Sequence, residues 1–475
     1  MGFITAQTAF GLDATQANPG VKIQASQGHE TTNSVLDGQV ETDVEAVTKD
    51  ILHNEIKLQR YNLMFRINAA RQGRWKGWTY FFFTESALGG AMGSEISNLC
   101  EFGDHLHSRG RHSFTNVSRN VAGNGGAIPE SVGALMGAAG DLVMLEMNTK
   151  HAIEAQHEGY GSKQARATVL QLVADIDNKI AARDKLVSQV AFQDKEIAEV
   201  QRLEGNVLKD FRDQAIAEFE RYHASAKKTL CQQNSFYFLD LARRATSTVA
   251  GFSLLPLYLR PDPHWTDTYC IFSTIYGAMT AADPVVSRLI GKYYQSVDHR
   301  NNERAGLPEI WENKIPMEED YKRLYEYCHN HQVKDRPEMA SIVGRLEAFE
   351  ANHKFVTGEI QRNASALRKG DRFALQYMGV ASYVGASKIA EAAVIFPSGS
   401  SRIINEGAHD IQVSTDECFA GSCIYLPALT IAAIDNLRIN MQNEFRRHNL
   451  AKNNALPSQI IYQRLKQLDR IEKGL

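Results

Sequence analysis

Strand signals are nearly missing from this 475-residue chain: apolar and polar residues alternate over more than a few positions only in SSRIINEGAHDIQVSTDE, residues 400–417. That stretch reads equally well as a loop with a short hairpin. Helix breakers are also scarce over long distances, because neither Gly nor Pro falls between Gly38 and Gly73, and Gly205 alone interrupts the chain between Gly161 and Gly251. The fold class these absences leave is all-α.

Chemical templates are missing as well. The sequence contains no GxxxxGK[ST], no GxGxxG after a strand, no GxSxG and no HExxH, so neither nucleotide-binding nor hydrolase motifs can be invoked. A formal net charge of −3 and a pI near 6.6 exclude a whole-chain basic excess, and no local basic patch suggests a nucleic-acid partner. The six cysteines include no CxxC and no zinc-like Cys/His spacing. Only Cys418 and Cys423 are near neighbours, and they could close a small disulfide loop in an oxidising compartment. The first 40 residues lack the basic and apolar regions of a secretory signal and read as a flexible polar segment.

Clean membrane spans are lacking too. Six apolar helical segments recur in three pairs: residues 78–99 with 127–147, 236–259 with 269–290, and 373–396 with 418–434. A span needs about 20 mainly apolar residues, yet five of the six carry charges, and only Cys418 to Ile434 runs uncharged, for 17 residues. What these segments have is small side chains. Gly89 with Gly93 and Gly133 with Gly137 form GxxxG, while Ser247 with Gly251, Gly277 with Ala281, and Ala381 with Gly385 are small-xxx-small pairs. Lipid gives helices no hydrophobic drive to associate, so close backbone approach through such residues supplies much of their packing. A tightly packed soluble bundle could use the same pairs.

Flanking residues agree with a bilayer. Arg66, Arg71, Arg74 and Lys76 precede the first pair, Arg288, Lys292 and Arg300 close the second, and Arg368, Lys369 and Arg372 precede the third. The basic side is the side of the polar helices, which the positive-inside rule assigns to the cytoplasm. Trp75, Trp78, Tyr80 and Trp265 stand where an interfacial aromatic belt would place them. On this reading Glu85, Arg243, Arg244, Lys388 and Glu391 are intramembrane charges that must face one another or a wet interior. The alternatives are a soluble helical assembly and a soluble protein that inserts one hairpin conditionally.

Between the apolar pairs lie polar helices. Val169, Val173, Ile176, Ile180, Val187, Val190 and Ile197 follow heptad steps, with Arg183 and Asp194 interrupting the seam. A continuous helix over 162–204 would reach about 65 Å, which suggests a coiled-coil arm; two ordinary bundle helices are the alternative. The expected organisation is therefore a flexible segment 1–40, a long helix with the first hairpin over 41–160, the arm over 161–228, the second hairpin over 229–300, a polar helical segment over 301–370, the third hairpin over 371–440 and a C-terminal amphipathic helix over 441–475.

Three ExxH pairs, Glu154/His157, Glu326/His329 and Glu350/His353, place a carboxylate and an imidazole on one helical face, the unit from which di-metal centres in bundles are made. His105, His107 and His112, interleaved with Arg109 and Arg111, read as a solvated loop rather than a metal site. The leading expectation is a non-enzymatic membrane-anchored scaffold, without cofactor or metal, that binds the lipid bilayer and forms a homo-oligomer or takes a protein partner through the coiled coil. A pore or channel is the alternative, and a helical-bundle metalloprotein the second.

Overall fold

The computed structural model describes residues 39–69, 74–107, 126–190, 195–259, 263–307, 317–330, 337–396 and 407–474. Among them no strand occurs, and ten helices account for nearly every residue. These are α1 (Gln39–Ala69), α2 (Arg74–His107), α3 (Ile128–His157), α4 (Ser162–Val190), α5 (Lys195–Leu259), α6 (Pro263–Arg304), α7 (Met317–Asn330), α8 (Pro337–Ile395), α9 (Gly407–Lys452) and α10 (Pro457–Gly474). Helix extends back to Gly407, into the stretch that admitted a hairpin. The alternation there is too short to compete with propagation of a 46-residue helix already nucleated downstream.

Two regions with different cores share the long helices. One is filled by large aliphatic and aromatic side chains: Ile51, Leu58 and Phe65 of α1, Val169, Val173, Ile176 and Ile180 of α4, Leu203, Leu208, Phe211 and Phe219 of α5, Leu324 of α7, and Leu346 and Phe349 of α8. We call this region, with its core of large apolar side chains, the body. Helix α10 lays Ile461 and Leu468 on Ile56, Leu63 and Ile67 of α1.

The heptad face of α4 is thus covered from within the chain. Lys209 donates to Asp184 at 2.9 Å and the Ser162 hydroxyl meets His223 at 3.0 Å. Position numbers rise along α4 as they fall along α5, so the two helices run antiparallel. Helices α4 and α5 lie side by side rather than forming one 65 Å arm, and residues 191–194, including Asp194, lie outside the described residues. Arg183, the polar break in the seam, is 1% exposed and fully engaged: it donates to Thr48 Oγ1 at 2.7 Å, to the Gln201 carbonyl at 2.8 Å and to Glu204 Oε2 at 2.9 Å. Arg345 of α8 takes the other Glu204 oxygen at 2.7 Å. A buried ion cluster of this kind fixes register, because any slip leaves a charge without a partner.

The second region is a ring of six helical segments. Neighbours around it are α2, α3, α5, α6, α8 and α9, and α9 packs back on α2. Two contacts at each interface give its direction: Ser94 with Glu130 and Lys76 with Asn148, Asn148 with Asn234 and Ser131 with Gly251, Arg243 with Thr280 and Gln232 with Gly291, Tyr269 with Glu391 and Gly277 with Gly385, Gln376 with Asp435 and Glu391 with Gly421, and Ser422 with Glu95 and Asn436 with Glu85. Every adjacent pair is antiparallel, so the chain goes up and down around the ring in sequence order. Helix α5, 65 residues long, runs through both regions; at 1.5 Å per residue it measures about 98 Å.

Candidate functional site

The ring buries ionisable side chains among its apolar ones and turns large apolar side chains outward. Its outward face carries Phe82 (63% exposed), Leu142 (54%), Phe238 (66%), Leu289 (60%), Leu375 (61%) and Ile434 (62%), one from each of the six segments. Glu95, Asp141, Asp240, Lys388 and Glu391 are at most 1% exposed. Water-soluble bundles have the reverse distribution, because burying a charge is costly and burying an apolar side chain is favourable.

Small residues allow the segments to close. Gly90 of α2 faces Gly133 of α3, so that a Cβ on Gly90 would lie 2.9 Å from the Gly133 Cα. Gly277 of α6 faces Gly385 of α8, where an added Cβ would meet the Gly385 carbonyl at 2.7 Å, and a Cβ on Gly385 would lie 3.0 Å from that of Ala281. Gly251 abuts the Ser131 hydroxyl, and Gly137 gives room to the Arg244 guanidinium. Ala381 is buried and Ser247 half-buried. A Cβ on Gly89 would meet nothing on another helix within 4 Å, and one on Gly93 only the Pro129 side chain at 3.8 Å. In α2 the close approach thus uses Gly90 and the buried Ser94, one residue out of phase with the GxxxG pair.

Two layers of ionisable side chains occupy the ring interior. In the layer far from the body, Lys388 Nζ lies 2.9 Å from Glu391, 3.6 Å from Glu95 and 3.8 Å from Glu130. It also donates to the Tyr269 hydroxyl at 2.9 Å, which in turn donates to Glu391 at 2.7 Å. Ser422 donates to Glu95 at 2.7 Å, and Lys388 sits 4.4 Å above the Tyr425 ring. Five helices contribute to this one cluster. In the nearer layer, Arg243 donates to Asp240 at 2.5 Å and to Thr280 at 3.2 Å, while Arg244 lies 3.5 Å from the same carboxylate. Asp141 and Asp283 are buried alongside, and Tyr80 reaches Asp240 at 3.5 Å. Tyr276, 3.5 Å from Arg243, is paired with Tyr425 and so connects the layers.

Of the five charges singled out in the sequence, Arg243, Arg244, Lys388 and Glu391 belong to these layers. Glu85 is half-buried and takes a hydrogen bond from Asn436 of α9. Glu95, Glu130, Asp141, Asp240 and Asp283 join the layers, and in the sequence they read as interruptions of apolar spans. The tyrosines Tyr269, Tyr276 and Tyr425 carry no signal of their own at that level. Inward-facing charges lower the mean hydropathy of the segments that bear them. Among the described residues two stretches, Ile128–Gln189 and Glu417–Gly474, contain a window long and apolar enough to cross a membrane.

The ExxH pairs lie on α3, α7 and α8 and do not converge, and among the described residues no group of three metal-ligating side chains is gathered. His329 bonds the Tyr325 carbonyl, and Glu350 pairs with Lys354. The side chains of His105 and His107, the whole of His112 and residues 1–38 lie outside the described residues. Cys418 and Cys423 are free thiols on α9. Five residues of helix separate their Cα atoms by about 7.5 Å along the axis alone, beyond the usual reach of a disulfide. No family model, no curated protein and no solved structure matches this chain.

Proposed function

We propose that the chain is an integral membrane protein whose six-segment ring spans the bilayer, and that the charged interior of the ring carries protons across it. The observation behind this reading is the inversion itself: lipid favours an apolar exterior, and ionisable residues within a bilayer face one another across a helix bundle. Each segment has the roughly 20 residues that a hydrocarbon core of about 30 Å requires. Trp75 and Trp78 at the body end and Trp265 at the far end fit interfacial belts, and the basic flanks favour a cytoplasmic body by the positive-inside rule.

Charge balance points to the transported species. Six buried carboxylates, Glu95, Glu130, Asp141, Asp240, Asp283 and Glu391, face three bases, Arg243, Arg244 and Lys388. In a low-dielectric interior the excess is neutralised only by bound protons or other cations, and the tyrosine bridge offers hydroxyls through which a proton can pass from layer to layer. The heptad face of α4 and most of the small-residue pairs are used within the chain, while Gly89 and Gly93 remain uncovered, so a scaffold would have to assemble through that face of α2.

The test is reconstitution. The full chain should stay with membranes after a carbonate wash, and its tryptophan fluorescence should be quenched by brominated lipid. In liposomes loaded with a pH dye and given a potassium diffusion potential, it should speed acidification at least tenfold over empty vesicles. Lys388→Met and Asp240→Asn should each abolish most of that flux. Extraction by carbonate would overturn the membrane placement. Retention without flux, with the protein recovered as a homo-oligomer, would return the chain to the scaffold class.

A further inference from the structure

Where the ring meets the body there is a pocket of about 150 Å³, lined by Phe65, Lys76, Gly161, Ser162, His223 and Lys227 among others. His223, 2% exposed, stands at its wall between two partners. Its Nδ1 is 2.6 Å from Asp298 Oδ2, and its Nε2 is 3.0 Å from the Ser162 hydroxyl and 3.1 Å from the Ser162 carbonyl. Asp298 lies behind the imidazole, away from the pocket lining, and its other oxygen accepts from Arg166 at 3.2 Å. Arg166 is itself fixed by Asn302 at 2.7 Å. Phe65 and Phe219 hold the imidazole ring at centroid distances of 5.6 and 5.1 Å.

We propose that Ser162, His223 and Asp298 are a hydrolytic triad that cleaves short-chain carboxylic esters in this pocket. The roles follow from position. Asp298 is the positioning residue: its carboxylate accepts the Nδ1 hydrogen and turns Nε2 toward Ser162, where the hydroxyl at 3.0 Å and the carbonyl at 3.1 Å share it, so Nε2 must leave the carbonyl before it can accept the hydroxyl proton. Ser162 is half-buried and borders the pocket, with its Oγ on the imidazole. It occupies the first turn of α4, just after Gly161, whose carbonyl accepts from the Ala165 amide at 2.8 Å. The first amides of a helix have no intrahelical partner, and a helix N-terminus suits a developing oxyanion. Lys76, His151 and Lys227 line the pocket and no carboxylate does, which favours the same negative charge.

In the first step Ser162 Oγ attacks the ester carbonyl carbon and its proton passes to His223 Nε2. The carbon–oxygen bond to the alcohol then breaks, and the alcohol leaves with that proton, giving an acyl-serine. Water attacks the acyl-serine, surrenders a proton to Nε2, and the carboxylic acid departs as Ser162 recovers it. The volume limits the acyl part to a group about the size of benzene, so acetyl and butyryl esters fit and a palmitoyl ester does not.

The full chain, purified in mild detergent, is assayed with p-nitrophenyl acetate, butyrate and palmitate, and separately labelled with a fluorophosphonate. The expected result is hydrolysis of the two short esters, a phosphonate adduct mapped to Ser162, and loss of roughly 10³-fold or more of the rate in Ser162→Ala. Ser162→Ala should keep the circular dichroism of the wild type and its proton flux in liposomes, which separates this site from the ring. His223→Gln should lose the adduct. The proposal is overturned if the wild type hydrolyses no ester above the buffer rate, if the adduct forms elsewhere, or if Ser162→Ala hydrolyses at the wild-type rate. In those cases His223 is a structural clamp between Asp298 and the Ser162 carbonyl.

Discussion

Replacing Gly90 by Ala should destabilise the protein, whereas the same change one residue earlier should not. A Cβ on Gly90 would meet backbone atoms of α3, the Pro129 carbonyl and the Gly133 Cα, and neither can rotate away. Overpacking of this kind costs about 1 to 3 kcal/mol, and contact with backbone belongs at the upper end. Each Gly→Ala change within a helix also recovers about 1 kcal/mol of helix propensity. Gly90→Ala should therefore cost a net of about 2 kcal/mol, while Gly89→Ala, which meets nothing within 4 Å, should gain up to about 1 kcal/mol. The predicted gap of about 3 kcal/mol is roughly a hundredfold in the folded-to-unfolded ratio. Unfolding in mild detergent titrated with dodecyl sulfate, followed by far-ultraviolet circular dichroism, can resolve that gap. Equal stability of the two variants, or a more stable Gly90→Ala, would refute the ring contact between α2 and α3.

Glu204→Gln should lose about 3 to 5 kcal/mol of stability by chemical denaturation, because it leaves the buried Arg183 and Arg345 without their shared carboxylate; a loss below about 1 kcal/mol would show that the cluster is not needed to hold α4, α5 and α8 together. Burial, with the Asp320 carboxyl beside it, pushes Asp210 up to about 7 from an ordinary 3.8. The folded protein therefore keeps a proton there that the unfolded chain releases above about pH 4, so this group's stabilising contribution is full below that pH and lost as the pH rises through about 7. Asp210→Asn, permanently neutral, should melt above the wild type at about pH 8 and converge with it near pH 4; a gap that widens toward acid would contradict the sign.

Helices were legible because their signals are local. Missing Gly and Pro, heptad spacing in α4 and small residues in the apolar segments each act within a few turns of their own chain. Facing is different. Gly89/Gly93 and Gly90/Ser94 are two registers of one stretch separated by 100° of helix rotation, and only the partner helix decides between them. The same holds for Arg183, which reads as a flaw in a seam until Thr48 and Glu204 are placed around it. Lys388 and Glu95 are far apart in sequence yet 3.6 Å apart in space, and no pattern along the chain links them. Ser162, His223 and Asp298 are separated by 61 and 75 residues and lack the GxSxG turn by which a nucleophile is usually recognised in sequence.

The continuity of α5 turns the junction of body and ring into a question of phase. The body core ends near Phe219 and the inward-facing ring residues begin near Tyr237, all on one uninterrupted helix. With no hinge between them, the azimuth at which Asp240 and Arg243 point is set by the number of residues counted from the body. One inserted residue would turn them by 100° and carry them 1.5 Å along the axis, whereas four would restore the direction to within about 40°. Length between the two cores is therefore constrained more tightly than residue identity there, and natural insertions should fall in the connections between helices rather than along α5.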